Sequence, residues 1–132
     1  FVSGMDAGQI YNSWPFMGLS YFPDDNNFIN LFNLSAFNDP SLVQFMHRNL
    51  AYVIFLFYLI LAIKIYLNKL SDLYSSIKVV GFLLIIQIIL GILTLLYGAQ
   101  IFLASMHQIS SIFLVSFSVY FLYLNSNQQP SN

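Results

Sequence analysis

The sequence predicts an all-α fold, a polytopic membrane helix bundle with three transmembrane helices. Three observations lead there. Of 132 residues, 58% are hydrophobic and only 7% are charged, where a soluble domain carries about 25% charged residues. The mean hydropathy is +0.74. The length suits about three crossings, since each needs about 20 mainly apolar residues. So few charged side chains cannot cover a water-soluble fold of this size. The composition therefore excludes an ordinary soluble domain, a disordered chain and a protein that holds nucleic acid by a basic patch.

The residue inventory excludes more. There is no cysteine, so disulfides, Cys-ligated zinc, iron–sulfur clusters and thiol nucleophiles are out. There is no glutamate either. The chain opens Phe1-Val2-Ser3-Gly4 without an initiator methionine, and no charged n-region precedes an apolar run. We expect a start that lies upstream.

Residues 1–40 form the polar third, with four aspartates, three glycines and three prolines. Pro23-Asp24-Asp25-Asn26-Asn27 signals a turn. Phe28 to Phe37 mixes large apolar residues with Asn30, Asn33 and Ser35. Two readings stay open here: a short amphipathic helix in the membrane interface, or a plain external loop. Tyr11, Trp14, Phe16, Tyr21 and Phe22 suit the headgroup level.

The first transmembrane helix, 41–67, starts at Asn38-Asp39-Pro40-Ser41, where Asp or Asn suits the N-cap and Pro the first turn. Ser41-Leu42-Val43-Gln44 is an alternative capping box. A loop follows at 68–76. The second helix spans 77–97, and Gly98 closes it. After a turn at 98–100, the third helix spans 101–124 and a polar tail fills 125–132. Lys64, Lys69 and Lys78 flank the first loop, whereas the Asp-rich segment 1–40 has no basic residue. Positive residues favour the cytoplasmic side. The 68–76 loop is therefore expected in the cytoplasm or matrix, with residues 1–40 and the 98–100 turn outside.

Ionisable groups inside membrane helices are rare and mark function. Here they are His47, Arg48 and His107. His47 precedes Lys64 by seventeen residues, roughly 25 Å of helix, and His107 precedes Asn125 by eighteen, roughly 27 Å. Both helices descend from the same face, so the imidazoles share a depth. Two neutral imidazoles from different helices can clamp one heme iron from opposite sides. Met46 and Met106 each precede a histidine and face about 100° away. Ala104, His107, Ser111 and Ser118 share one face of the third helix, and Gln87, Gly91, Thr94 and Gly98 form a stripe on the second. Small residues there either leave room for a porphyrin or allow close helix packing, the latter favoured for the second helix, where Gln87 is expected to bond a neighbour. Arg48 either snorkels to the headgroups or grips a heme propionate. No catalytic triad, Gly-rich phosphate loop or His-Glu-x-x-His motif is present.

Three patches carry a family resemblance. They are Phe1-Val2-Ser3-Gly4-Met5-Asp6-Ala7-Gly8 leading to Tyr11-Asn12-Ser13-Trp14-Pro15-Phe16-Met17; Val43-Gln44-Phe45-Met46-His47-Arg48-Asn49-Leu50-Ala51-Tyr52; and Gln87 to Leu96 followed by His107-Gln108. In order and spacing they resemble the C-terminal half of heme A synthases of the proteobacterial and mitochondrial kind, the cytochrome oxidase assembly family. The resemblance implies half of an eight-helix protein, with residues 1–8 as the outer end of a preceding helix. It implies an oxidoreductase that converts a methyl group of heme O to the formyl group of heme A. It further implies heme b as cofactor, with His47 and His107 as axial iron ligands. The family's N-terminal half supplies a second histidine pair and the site for heme O, so this chain alone is expected to be inactive. The expected surroundings are the lipid bilayer of a bacterial plasma membrane or mitochondrial inner membrane, with heme O synthase and a second copy of the chain as partners and no nucleic acid. The alternative is a bis-histidine cytochrome b-type electron-transfer subunit, which would share the ligands without oxidising a methyl group.

Overall fold

The computed structural model describes residues 2–127. It is mostly helical, with no strand among the described residues and one isolated bridge between Met17 and Ser20. Helix α1 is Pro40–Leu67, α2 is Tyr74–Leu96 and α3 is Ile101–Asn127. Their 28, 23 and 27 residues give roughly 35–42 Å of helix at 1.5 Å per residue, more than the hydrocarbon thickness of about 30 Å. All three are long and apolar enough to cross a membrane. Residues expected in the 125–132 tail continue α3 to Asn127; 128–132 lie outside the described residues, as does Phe1.

The helix ends follow local chemistry. Asp39 caps α1 by accepting from the Ser41 and Leu42 amides at 3.0 and 3.1 Å, with Pro40 in the first turn. The capping-box alternative at Ser41 is not used: that hydroxyl donates to Asp25 Oδ2 at 2.6 Å instead. At the other end Lys69 takes the left-handed conformation, φ 55°. Its amide bonds the Tyr66 carbonyl and the Leu70 amide bonds the Ile65 carbonyl, the paired bonds of a Schellman end. Gly98 plays the same part after α2, with φ 64° and its amide on the Leu95 carbonyl. Helix α2 begins at Tyr74 rather than 77, because backbone bonding continues into the polar Ser75 and Ser76 beyond the apolar run.

The segment expected as the end of a preceding helix forms two short 3-10 turns, Ser3–Met5 and Ala7–Gln9. Ala7 is fully buried, and Gly8 lies against the turn between α2 and α3, where an added Cβ would come 3.4 Å from that of Ala99. Phe28–Phe32 and Leu34–Asn38 are also 3-10 turns, with no α-helix in the stretch.

Helices α2 and α3 pack closely along one another, whereas α1 approaches α2 at few points. One is the end bearing the lysines. There Ile65, Leu73, Ile77 and Phe121 form a small buried core, Tyr66 stacks on Tyr74 at 4.6 Å, and the Tyr58 hydroxyl donates to the Ile77 carbonyl at 3.2 Å. Gly81 makes this crossing possible, since a Cβ there would collide with the Tyr58 hydroxyl. Toward the opposite end α1 stands off from the α2/α3 pair. The interval is the site.

Candidate functional site

A cavity of about 670 Å³ lies between α1 and the α2/α3 pair. Helical spacing builds its walls. From α1 come Gln44, His47, Arg48, Ala51 and Phe55; from α2, Gln87, Gly91 and Leu95; from α3, His107 and Leu114. Most of these stand three, four or seven residues apart on their helix, with His47 and Arg48 adjacent, and Leu50, Ile54, Ile88 and Ile92 widen the walls beyond a single face. The lining is mostly apolar with a few convergent polar groups, and the volume is that of a small-molecule site.

His47 and His107 meet across this space. Their ring centroids are 6.5 Å apart and the ring planes stand at 84°. His107 is half-buried and His47 exposed. Gly91 makes room for the His107 ring, since an added Cβ would lie 3.0 Å from its Cε1. The stripe that read as plain helix packing thus also clears space beside an imidazole. Gln87 Nε2 lies 3.4 Å from His107 Nε2. The Ser110 hydroxyl bonds Gln87 Oε1 and also sits 3.0 Å from the His107 carbonyl. Placed this way, the Gln87 amide orients the His107 ring. His107 Nδ1 is buried without a partner.

Arg48 is held in a way that the sequence did not suggest. Its Nη1 donates to the carbonyls of Ser13 and Phe16 at 2.9 and 3.3 Å, and its Nη2 to that of Tyr11 at 3.0 Å. Gln44 Nε2 donates to the same Tyr11 carbonyl at 3.1 Å. Trp14 Nε1 donates to Tyr52 Oη at 3.1 Å. Together these bonds strap the 11–17 loop across the N-terminal turns of α1 and bring Trp14 to the cavity wall. Arg48 Nε and Gln44 Oε1 remain buried with no partner.

Outside the span, Asp25 anchors the loop. Its carboxylate accepts from Tyr11 Oη at 2.9 Å and from Ser41 Oγ at 2.6 Å. Burial alone would raise the Asp25 carboxyl, but the hydrogen bonds from Ser41 and Tyr11 outweigh it and hold it below its ordinary value. Tyr11 is pushed up, first by burial and then by its bond to Asp25.

Of the expected site residues, the structure brings His47, Arg48 and His107 to one cavity. Ala104, Ser111 and Ser118 do not line it, and the two serine hydroxyls bond back to their own helix. Ser110 and Gln44 were missed. Gln44 was findable, because it lies three residues before His47 and so shares its face. Ser110 gave no signal among so many helical serines.

The fold and cavity define a helical membrane protein with two imidazoles facing each other across an apolar slot. The chain belongs to the cytochrome oxidase assembly protein family (COX15-CtaA), whose profile matches residues 1–119. It is 43% identical over 127 residues to heme A synthase of Pelagibacter ubique (strain HTCC1062), covering 96% of this chain and 37% of that protein. Against heme A synthase of Rickettsia prowazekii (strain Madrid E) it is 39% identical over 127 residues, covering 95% and 38%. Against that of Rickettsia felis it is 42% identical over 127 residues, covering 90% and 35%. The chain thus spans little more than a third of the length of these curated relatives. No solved structure matches it.

Proposed function

We propose that this chain forms the heme-b-binding half of a heme A synthase, with His47 and His107 as the axial ligands. The separation of the two rings carries the reading. A metal–imidazole bond is about 2.0 Å and the bonding nitrogen lies about 1.2 Å from its ring centre, so two rings on one iron have centroids about 6.4 Å apart. The rings here are 6.5 Å apart. Among the described residues no group of three or more His, Cys, Asp or Glu could hold a bare ion, whereas a porphyrin supplies four ligands and needs only two more.

Three further observations support the fit. Gly91 keeps the space beside His107 open. The unpartnered Nδ1 of His107 and Nε of Arg48 are polar atoms that a polar ligand would satisfy. The propionate role expected of Arg48 then falls to Nε, since both terminal nitrogens hold the loop. Gln87 and Ser110 hold the His107 ring in place. Heme b bound here supplies electron transfer; the chain's own residues bind it, orient it and exclude water.

In the complete protein the reaction is oxidation of the heme O methyl to the formyl of heme A, in a bacterial plasma membrane or mitochondrial inner membrane. This chain alone carries one histidine pair and spans little more than a third of its relatives' length, so it is expected to make no heme A when expressed with a heme O source. The test follows conversion by the complete protein. His47→Ala and His107→Ala should each abolish formyl-heme production while the parent converts heme O. Unimpaired conversion in both variants, or conversion by these 132 residues alone, contradicts the reading.

A further inference from the structure

The loop ahead of α1 presents an apolar surface that nothing in the fold covers. Ile29 is 75%, Phe32 79% and Leu34 87% exposed. Residues 26–38 contain no charged side chain; Asp25 and Asp39 bracket them. Their polar groups are the amides of five asparagines and the hydroxyl of Ser35.

The height of this surface follows from its ties to α1. Asn26 Nδ2 donates to Asp39 Oδ2 at 3.0 Å, at the start of the helix. Tyr21 Oη donates to Asn49 Oδ1 at 2.7 Å, ten residues further along. Between them Phe22 packs on Phe45 with centroids 5.1 Å apart, Phe28 on Phe22 at 5.8 Å, and Phe32 on Phe28 at 5.7 Å. Phe45 stands nineteen residues before Lys64, roughly 28 Å of helix, close to the hydrocarbon thickness of about 30 Å. With Lys64 at one boundary, Phe45 is at the other. The aromatic row therefore begins at the level where acyl chains meet headgroups, beside α1 rather than above it.

We infer that residues 28–38 lie in the membrane interface at the His47 end of the bundle, with Ile29, Phe32 and Leu34 entering the acyl boundary of that leaflet. The occupant is lipid for two reasons. The surface continues the side of α1 that bears Phe45, where Leu56, Ile60 and Ile63 are exposed. The stretch also has no charge to desolvate, while its asparagines and aromatic rings suit headgroup depth. This inference does not depend on the heme reading.

The experiment uses the complete protein in phosphatidylethanolamine–phosphatidylglycerol vesicles, with any other cysteines replaced. Ile29→Cys, Phe32→Cys, Leu34→Cys and, as a polar control, Ser35→Cys each carry a small fluorophore. Lipids doxyl-labelled high on the acyl chain should quench at least two of the three apolar sites about twofold or more strongly than the Ser35 site, and aqueous iodide should quench them less. Strong iodide quenching without lipid quenching would make this a water-exposed loop and overturn the inference. Protection from both quenchers would mean that another protein surface covers it, and would overturn it too.

Discussion

At the residue scale, Gly91 and Gln87 act on one ring from two sides. Gly91→Val places branched carbon where even a Cβ would lie 3.0 Å from His107 Cε1, so the imidazole must move. We predict reduced heme retention in the complete protein, read as heme bound per purified protein, with Gly91→Ala the milder change. Gln87→Leu removes the amide beside His107 Nε2 while keeping the volume. Iron-bound imidazoles are tuned by such partners, so the prediction is a shifted midpoint potential with the low-spin spectrum retained. An unchanged potential would limit Gln87 to helix packing. The histidines were legible because an ionisable side chain inside an apolar run stands out. The true partners of Arg48 were not: they are backbone carbonyls of a loop more than thirty residues away, and any sequence supplies carbonyls.

Asp25 gives a pH dependence at the same scale. Its folded value is depressed, so its contribution is fully present above the unfolded value of about 3.9 and is lost as pH falls through the folded value. The strap between Tyr11, Asp25 and Ser41 should hold from neutral pH down to about 4 and loosen below that. Hydrogen exchange across residues 11–25 checks this. Asp25→Asn should raise exchange there at neutral pH, while exchange that rises between pH 7 and 5 in the parent would contradict the assignment.

At the element scale, the ends with conventional side chains could be read in advance. Asp39-Pro40 and Gly98 sit where capping chemistry puts them. Asp39→Ala removes two bonds to first-turn amides and should cost about 1 kcal/mol, seen as faster exchange at residues 41–44 and a lower midpoint of thermal unfolding. At the end of α1, Lys69 fills the left-handed position that glycine usually takes. The 28–38 segment was not legible. Its apolar residues fit helical spacing loosely, but Asn27, Asn30, Asn33 and Asn38 recur every three to five residues. Such residues favour turns over long helices, and two 3-10 turns result.

At the scale of the whole molecule, composition alone made the three spans legible, because a chain so poor in charge has no other stable environment. The slot between α1 and the other two helices was not legible, since it depends on where α1 stands off and where Tyr58 and Gly81 draw it in. The lysines flanking the 68–76 loop set the expected orientation. Ser75→Cys should resist an impermeant thiol reagent in intact cells, whereas Gln9→Cys should react; the reverse would invert the topology.

The central claim is that His47 and His107 hold one iron. Electron paramagnetic resonance of the oxidised complete protein tests it most directly, because ferric heme held by two imidazoles gives a low-spin signal. The expected result is a low-spin signal in the parent protein and its loss, with a high-spin signal or less bound heme in its place, in both His47→Ala and His107→Ala, any contribution of the second histidine pair staying as it was. Low-spin signal and heme content equal to the parent's in both variants would place the heme on other ligands and overturn the assignment.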